Sequence, residues 1–438
     1  MNTAQRTRSR TSQSPATYLF ALSIVCSNVA NAAGGDLLWR HMVDGGLDVS
    51  DTAEAVAVYG GMVFAAGFIE RKSRSSFAVR AYDAETGELK WAEQPDGEPG
   101  QDIANDVHAS ANGVVVCGVT DEGKFGVRVH DARDGHLLWE DRSQLGSATA
   151  CDARENSVFV VGSIRNSEDN SDFAVRAYDS ATGVLLWEDQ LDGGAEVFDQ
   201  AHAFSIAGGR LYVVGVIQQT AGDEDMVVRS YDADTGALIW HQVFAGAAGE
   251  VDDALAVTVG QGRVFVAGRA SLVTGSFGNT WAVQAYHAGT GKLLWADYHE
   301  QQEVNGIIVQ GTRVIAVGQR EAGPAVVRAY DVESGDTLWR NSFGTHFSAA
   351  MAIDTDGQLA YLGVHARHSS VEAPAFTVRA VDPSTGATVW QNRFRSSKVG
   401  GQVNDIVVDS NRVYAVGLTQ DTVTTAVKDF FVRVYDAR

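Results

Sequence analysis

Ala81-Tyr82-Asp83-Ala84-Glu85-Thr86-Gly87-Glu88-Leu89-Lys90-Trp91 returns almost word for word as Ala177-Tyr178-Asp179-Ser180-Ala181-Thr182-Gly183-Val184-Leu185-Leu186-Trp187. Eight copies of this pattern, Ala-x-Asp-x-x-Thr-Gly-x-x-x-Trp, end at Trp39, Trp91, Trp139, Trp187, Trp240, Trp295, Trp339 and Trp390. Departures are local: Val129 and Ser230 replace the alanine, His287 the aspartate, Asp134 and Ser334 the threonine. Successive tryptophans lie 44 to 55 residues apart, the length of one four-stranded propeller blade. Units of this period cannot bury an apolar face alone, so they stack on one another.

Each unit reads as four strands. In the first, Glu54–Val58 is strand A, Met62–Phe68 strand B, Phe77–Tyr82 strand C and Leu89–Glu93 strand D. Strand B is a nearly unbroken apolar run, as in Val114-Val115-Val116-Cys117-Gly118, which suits burial on both faces. Glycine turns such as Gly60-Gly61 and Gly208-Gly209 separate the strands, and no stretch holds a helical period. The motif Asp accepts hydrogen bonds from the turn that follows it, and the motif Gly supplies positive φ. The tryptophan falls on the outer strand, its indole free to cover the neighbouring blade beside a small residue such as Ala81. All eight motif tryptophans are therefore read as structural inter-blade residues.

The eighth copy is cut in two. The chain ends Phe430-Phe431-Val432-Arg433-Val434-Tyr435-Asp436-Ala437-Arg438, stopping after the motif Asp, while Gly34-Gly35-Asp36-Leu37-Leu38-Trp39 near the other end supplies the rest. Joined, they restore one motif, so the N-terminal strand completes the C-terminal blade and closes the circle. The expected fold is all-β: an eight-bladed β-propeller of four-stranded antiparallel blades, forming one domain over residues 33–438.

Residues 1–32 read as a secretory signal peptide: Arg6, Arg8 and Arg10, an apolar run over Tyr18–Val25, then Ala30-Asn31-Ala32. The expected location is exported, periplasmic or extracellular. The formal charge is −21, and removing those three arginines leaves −24. So acidic a surface repels nucleic acid and anionic membrane, and no stretch reaches the ~20 apolar residues of a transmembrane helix. A monomer is expected. Only Cys117 and Cys151 follow the leader, on neighbouring strands; a disulfide and two buried thiols both fit.

These motifs resemble the tryptophan-docking repeat of pyrroloquinoline-quinone (PQQ)-type eight-bladed propellers over essentially the whole mature chain. That family contains quinone-dependent alcohol dehydrogenases and non-catalytic BamB-like scaffolds. The dehydrogenases carry long insertions, a vicinal disulfide over the cofactor and a catalytic Asp beside Ca²⁺. This chain has compact blades and no adjacent cysteines, so it resembles the scaffolds more.

In such a meander the B–C and D–A loops share one face. Here they vary in length and carry much of the acid: Asp96, Glu98, Asp102, Asp121, Glu122, Glu168, Asp169, Asp192, Glu196, Asp199, Asp223, Glu224, Asp225, Glu250, Asp252 and Asp253. A solvated face explains them, and a mouth attractive to Ca²⁺ is the sharper reading. No EF-hand or other metal-ligand spacing occurs, so no resident metal and no cofactor are expected, with PQQ and Ca²⁺ implied only on the dehydrogenase reading.

Thirteen residues before the strand-B glycine stand Glu54, Asn105, Thr149, His202, Leu255, Asn305, Ala350 and Asn404. At the inner end of strand A these line the channel mouth. Glu54, Asn105, His202, Asn305 and Asn404, with Asp106 and Asp405 one residue on, are the binding candidates; the alternative is bonding to neighbouring blades or channel water. Asp51, Asp102, Asp199 and Asp252, three residues before, are read as Asx caps of the D–A loops. Catalytic residues are not identified. The expected function is an exported, non-catalytic binding or scaffold propeller whose loop-rich acidic face takes a protein or small-molecule ligand. The alternatives are a PQQ-dependent dehydrogenase, or a lyase or hydrolase using His202 with Glu54 or Asp106 as acid and base.

Overall fold

The computed structural model describes residues 34–45, 50–71, 74–93, 102–120, 123–166, 170–194, 198–220, 222–247, 251–272, 280–367, 374–395, 399–421 and 428–438. The leader and the loop acids Asp96, Glu98, Asp121, Glu122, Glu168, Asp169, Glu196 and Glu250 lie outside those residues.

Eight antiparallel four-stranded sheets make up the fold, with no helix among the described residues. None is therefore long and apolar enough to cross a membrane. Blade one runs from Thr52–Tyr59 (A) through Met62–Arg71 (B) and Arg74–Asp83 (C) to Leu89–Glu93 (D). The A strands of blades two to seven are Ile103–Ser110, Gly146–Arg154, Gln200–Ala207, Asp253–Gly260, Gln302–Gln310 and Ala349–Thr355. Each touches the A strand of the next blade, so the A strands surround a central channel.

Blade eight is the composite one. Val399–Asp409, Arg412–Asp421 and Lys428–Asp436 are its first three strands, and Leu37–Val43 is the fourth. That N-terminal strand pairs antiparallel with the C-terminal one, from Leu37 opposite Tyr435 to Val43 opposite Phe430. The composite blade closes the circle, leaving only the short, protected inner and outer edges of each blade.

The apolar core is divided among the junctions: eight clusters of buried side chains each bridge two adjacent blades. The motif ties them together. Asp83 Oδ1 accepts from the N–H of Thr86 at 2.9 Å and from its hydroxyl at 2.9 Å, and Gly87 takes φ of 73°. Trp91 faces Ala81 within its own blade, while its indole reaches the next blade, where a Cβ on Gly135 would meet the ring at 2.6 Å. There Nε1–H donates to the Ala132 carbonyl at 3.0 Å. The same bond recurs at every junction, from Trp39, Trp139, Trp187, Trp240, Trp295, Trp339 and Trp390 to Ala84, Ser180, Ala233, Ala288, Val332, Pro383 and Ala437.

Strand-C arginines brace the junctions at a second level. Arg128 lies over Phe77 of the preceding blade, Arg176 over Phe125, Arg328 over Trp281 and Arg379 over Phe343. Arg176 and Arg229 also pair with Asp141 and Asp189 of the preceding outer strand, at 3.2 and 3.1 Å. Cys117 and Cys151 are buried free thiols.

Candidate functional site

Every A strand slips register once against its B strand. The extra residue is Glu54, Asn105, Thr149, His202, Leu255, Asn305, Met351 or Asn404. A β-bulge re-aims its side chain out of the alternation of the strand, and the strand-B glycine is what admits it. A Cβ on Gly67, Gly118, Gly162, Gly215, Gly268, Gly318 or Gly417 would lie 1.9–2.0 Å from an A-strand carbonyl oxygen. Blade seven corrects the sequence alignment by one residue: Val364 occupies the glycine position, so the bulge falls on Met351 and Ala350 is an ordinary ladder residue.

Five of the eight re-aimed side chains reach the following blade. Nδ2 of Asn105, Asn305 and Asn404 donates to the carbonyls of Ala148, Ala350 and Ala53, at 2.7, 3.0 and 3.0 Å. Thr149 Oγ1 donates to Ala201 at 2.6 Å. Asn404 also donates to Glu54 Oε2 at 3.1 Å, and His202 Nε2 stands 3.0 Å from Asp253 Oδ1 of blade five.

Asp106 and Asp405, one residue on, satisfy backbone N–H groups along the channel edge. Asp106 accepts from Cys151 N at 2.8 Å on the next blade and from Val107 N at 2.8 Å on its own. Asp405 accepts from Val56 N at 2.9 Å and Ile406 N at 2.8 Å. Asp354, deeper in blade seven, does the same for Val408 N at 2.7 Å. The structure thus places Glu54, Asn105, Asp106, Asn404 and Asp405 on one side of the channel, from blades eight, one and two, with His202 and Asn305 apart.

Burial pushes Asp405 up to about 7 and Asp106 up to about 6. The charges of Asp106 and Asp354 raise Asp405 further, against its two N–H donors. Asp51 reaches about 7, and Asp199 and Asp225 about 6, each mainly through burial. Asp51 and Asp199 clamp the D–A loops rather than forming short Asx turns. Asp199 accepts from Gly193 N at 2.5 Å and from Gln218 N at 2.7 Å, nineteen residues on. Asp51 does so from Gly45 N and, at 2.7 Å, from Glu70 N.

A pH dependence follows from these groups. A carboxyl whose folded pKa is raised stabilises the fold below its unfolded pKa, near 4, and loses that contribution as pH rises through the folded value. For these five aspartates the loss falls between about pH 4 and 7. The turn aspartates have the opposite sense: Arg133 holds Asp131 down at about 2, and the hydroxyls of Thr182 and Thr235 lower Asp179 and Asp232. Their contribution is lost as pH falls below about 4. Thermal unfolding from pH 3 to 9 in metal-free buffer should therefore peak at about pH 4; a midpoint still climbing from pH 5 to 7 would contradict the assignment.

The loop-bearing face holds features absent from the sequence reading. Leu145, Phe198, Leu272 and Phe347 stand there at 46 %, 47 %, 46 % and 56 % exposure. Phe347 has φ of 48°, a left-handed backbone unusual for an aromatic residue. It borders a cleft lined by Gln302, Glu303, Gln319, Arg320 and His365 between blades six and seven. Single aromatics in otherwise polar D–A loops were the signal available in the sequence.

Known proteins share this architecture. BamB from Moraxella catarrhalis aligns at 16% identity and a TM-score of 0.55, over 92% of this chain and 97% of that one. The quinohemoprotein alcohol dehydrogenase ADHIIG from Pseudomonas putida HK5 aligns at 14% identity and a TM-score of 0.57, over 92% of this chain and 76% of its own. Sqt1 from Chaetomium thermophilum, bound to the N-terminus of ribosomal protein L10, aligns at 13% identity and a TM-score of 0.60, over 89% and 97%. At such identities the likeness establishes the fold alone. No curated protein sequence matches. The model of the family of the outer membrane protein assembly factor BamB matches residues 24–163, 77–222, 171–322 and 323–429. Those stretches take in nearly the whole chain, and it belongs to that family.

Proposed function

We propose that this protein is an exported, non-catalytic propeller that holds a ligand, most naturally a protein segment, on its loop-bearing face. The observation that carries this reading is the set of exposed apolar side chains there, Leu145, Phe198, Leu272 and Phe347, set among acidic loops. Aromatic anchors within a polar rim are what protein interfaces are built from. Family membership supports it, as does the use of a like-shaped propeller by Sqt1 to hold a peptide of ribosomal protein L10. In this reading Glu54, Asn105, Asp106, His202, Asn305, Asn404 and Asp405 form the floor of the surface, and Glu54, Asp106 and Asp405, all raised by burial, give it a partial negative charge at neutral pH. The ligand then presents basic or polar groups to the channel.

Catalysis with PQQ fits these residues poorly. The cofactor is a tricarboxylate, and carboxylates converge on the mouth it would enter. The channel's acids and bases are engaged with neighbouring blades: Asp106 and Asp405 accept backbone N–H groups, Glu54 accepts from Asn404, and His202 stands against Asp253.

A photo-crosslinking residue at position 347, tested against the source cell's exported proteins, should give a discrete adduct that the same residue at position 186, on the outer rim, does not. Equal labelling from both positions would refute the surface. Dye reduction on adding PQQ and Ca²⁺ to the purified protein would refute the non-catalytic reading.

A further inference from the structure

We propose that Asp172, Asp192 and Asp199 form a binding site for a hard divalent cation, Ca²⁺ by chemistry, at the junction of blades three and four. Asp172 lies at the start of strand C (Ser171–Asp179), Asp192 just beyond strand D (Leu185–Leu191), and Asp199 just before strand A of the next blade. One carboxylate oxygen from each lies within 4.8 Å of the other two. Ca²⁺ holds its oxygens at about 2.4 Å, so two on opposite sides of one ion stand about 4.8 Å apart. All three oxygens fit around a single ion.

A second observation distinguishes this cluster from an ordinary acidic surface. Asp172 is 5% exposed, and its Oδ1 is fully buried with no hydrogen-bond partner, although Oδ2 accepts from Asn166 Nδ2 at 2.5 Å. Burying an anionic oxygen without a donor is costly unless a positive charge meets it. Among the described residues no Lys, Arg or His forms an ion pair with any of the three. The other two carboxylates are oriented in advance. Asp199 is fixed by Gly193 N and Gln218 N, and Asp192 Oδ1 accepts from Gly194 N at 2.8 Å. Each of those oxygens keeps a lone pair for a metal. Asp192 is exposed and opens the cluster to solvent. The repulsion is visible in Asp199, raised to about 6 chiefly by burial and further by Asp192 and Asp172.

The arrangement recurs once. Asp429, Asp44 and Asp51 hold the corresponding positions where blade eight meets blade one, again with oxygens within 4.8 Å of one another. Among the described residues two junctions carry the full triad.

Isothermal titration of Ca²⁺ into the full mature chain, stripped with chelator and held at pH 7.5, tests the proposal. Saturable binding is expected, weakened at least about tenfold by Asp172→Asn and by Asp192→Asn. Saturating Ca²⁺ should raise the melting midpoint of the parent by about 2–4 °C and leave both variants nearly unmoved. If Asp172→Asn folds poorly, the exposed Asp192→Asn carries the test. No saturable binding, isotherms unchanged in the variants, or an equal midpoint shift from NaCl at matched ionic strength would each overturn the site.

Discussion

Trp39→Ala is expected to destabilise the protein by about 3–5 kcal/mol, read as a fall in the urea midpoint at unchanged slope. Trp39 is 3% exposed, packs 5.9 Å from Tyr82 between ring centres, and donates to the Ala84 carbonyl at 3.1 Å. Its indole fills the space above Gly87, where a Cβ would come within 2.7 Å of it. Burying ~200 Å² of indole is worth up to about 5 kcal/mol. Alanine leaves a cavity between two rigid sheets that cannot collapse without shifting a whole junction. Trp39→Phe separates the terms: it keeps most of the packing and loses the N–H, a cost of about 1–2 kcal/mol. Leu186→Ala, 51% exposed on the outer rim, should move the midpoint by under about 0.5 kcal/mol. A Trp39→Ala loss no larger than that of Leu186→Ala would remove the indole from any part in joining blades.

Removing the N-terminal strand should have the larger effect. A chain beginning at Asp44 loses six cross-strand partners of Lys428–Asp436, together with the buried Trp39, His41 and Val43. It also loses Gly35, whose carbonyl accepts from Asn392 Nδ2 at 2.9 Å and whose backbone lies beneath Trp390. The combined loss exceeds about 5 kcal/mol, comparable with the entire stability of many domains. The expected result is a chain with no cooperative thermal transition. A synthetic peptide of residues 34–45 added in excess should restore the transition in a concentration-dependent way. Retention of the parental midpoint without the peptide would mean that ring closure does not depend on this strand.

Blade number, strand order and the composite blade were readable because the motif fixes its own spacing: a turn Asp, a glycine at positive φ and a tryptophan sit at constant intervals whatever the loops do. The bulge positions were readable nearly as well. Only glycine tolerates a carbonyl oxygen 2 Å from where its Cβ would be, so counting back from it found seven of eight. Blade seven misled the count because Gly363 answers a different contact, with Val403 of blade eight, where a Cβ would meet Cγ1 at 2.5 Å. The mates of the tryptophans were not readable, since the accepting carbonyl belongs to the residue after the next motif Asp and any side chain serves there. Nor were the aspartate triads, in which a D–A loop pair seven residues apart, Asp192 with Asp199 and Asp44 with Asp51, is completed by a distant aspartate of strand C, Asp172 or Asp429. The exposed loop aromatics carry no periodic mark at all.

The indole bonds and the asparagine latches all point the same way around the molecule, from one blade to its successor. Each blade presents a plug on one side and a socket on the other, the head-to-tail arrangement that yields a closed assembly when the angle per unit divides a full turn. The joint does not encode the number eight. Duplicating or excising one internal blade would leave every plug facing a matching socket, so this scaffold should accept changes in circumference, and hence in channel bore, by whole units.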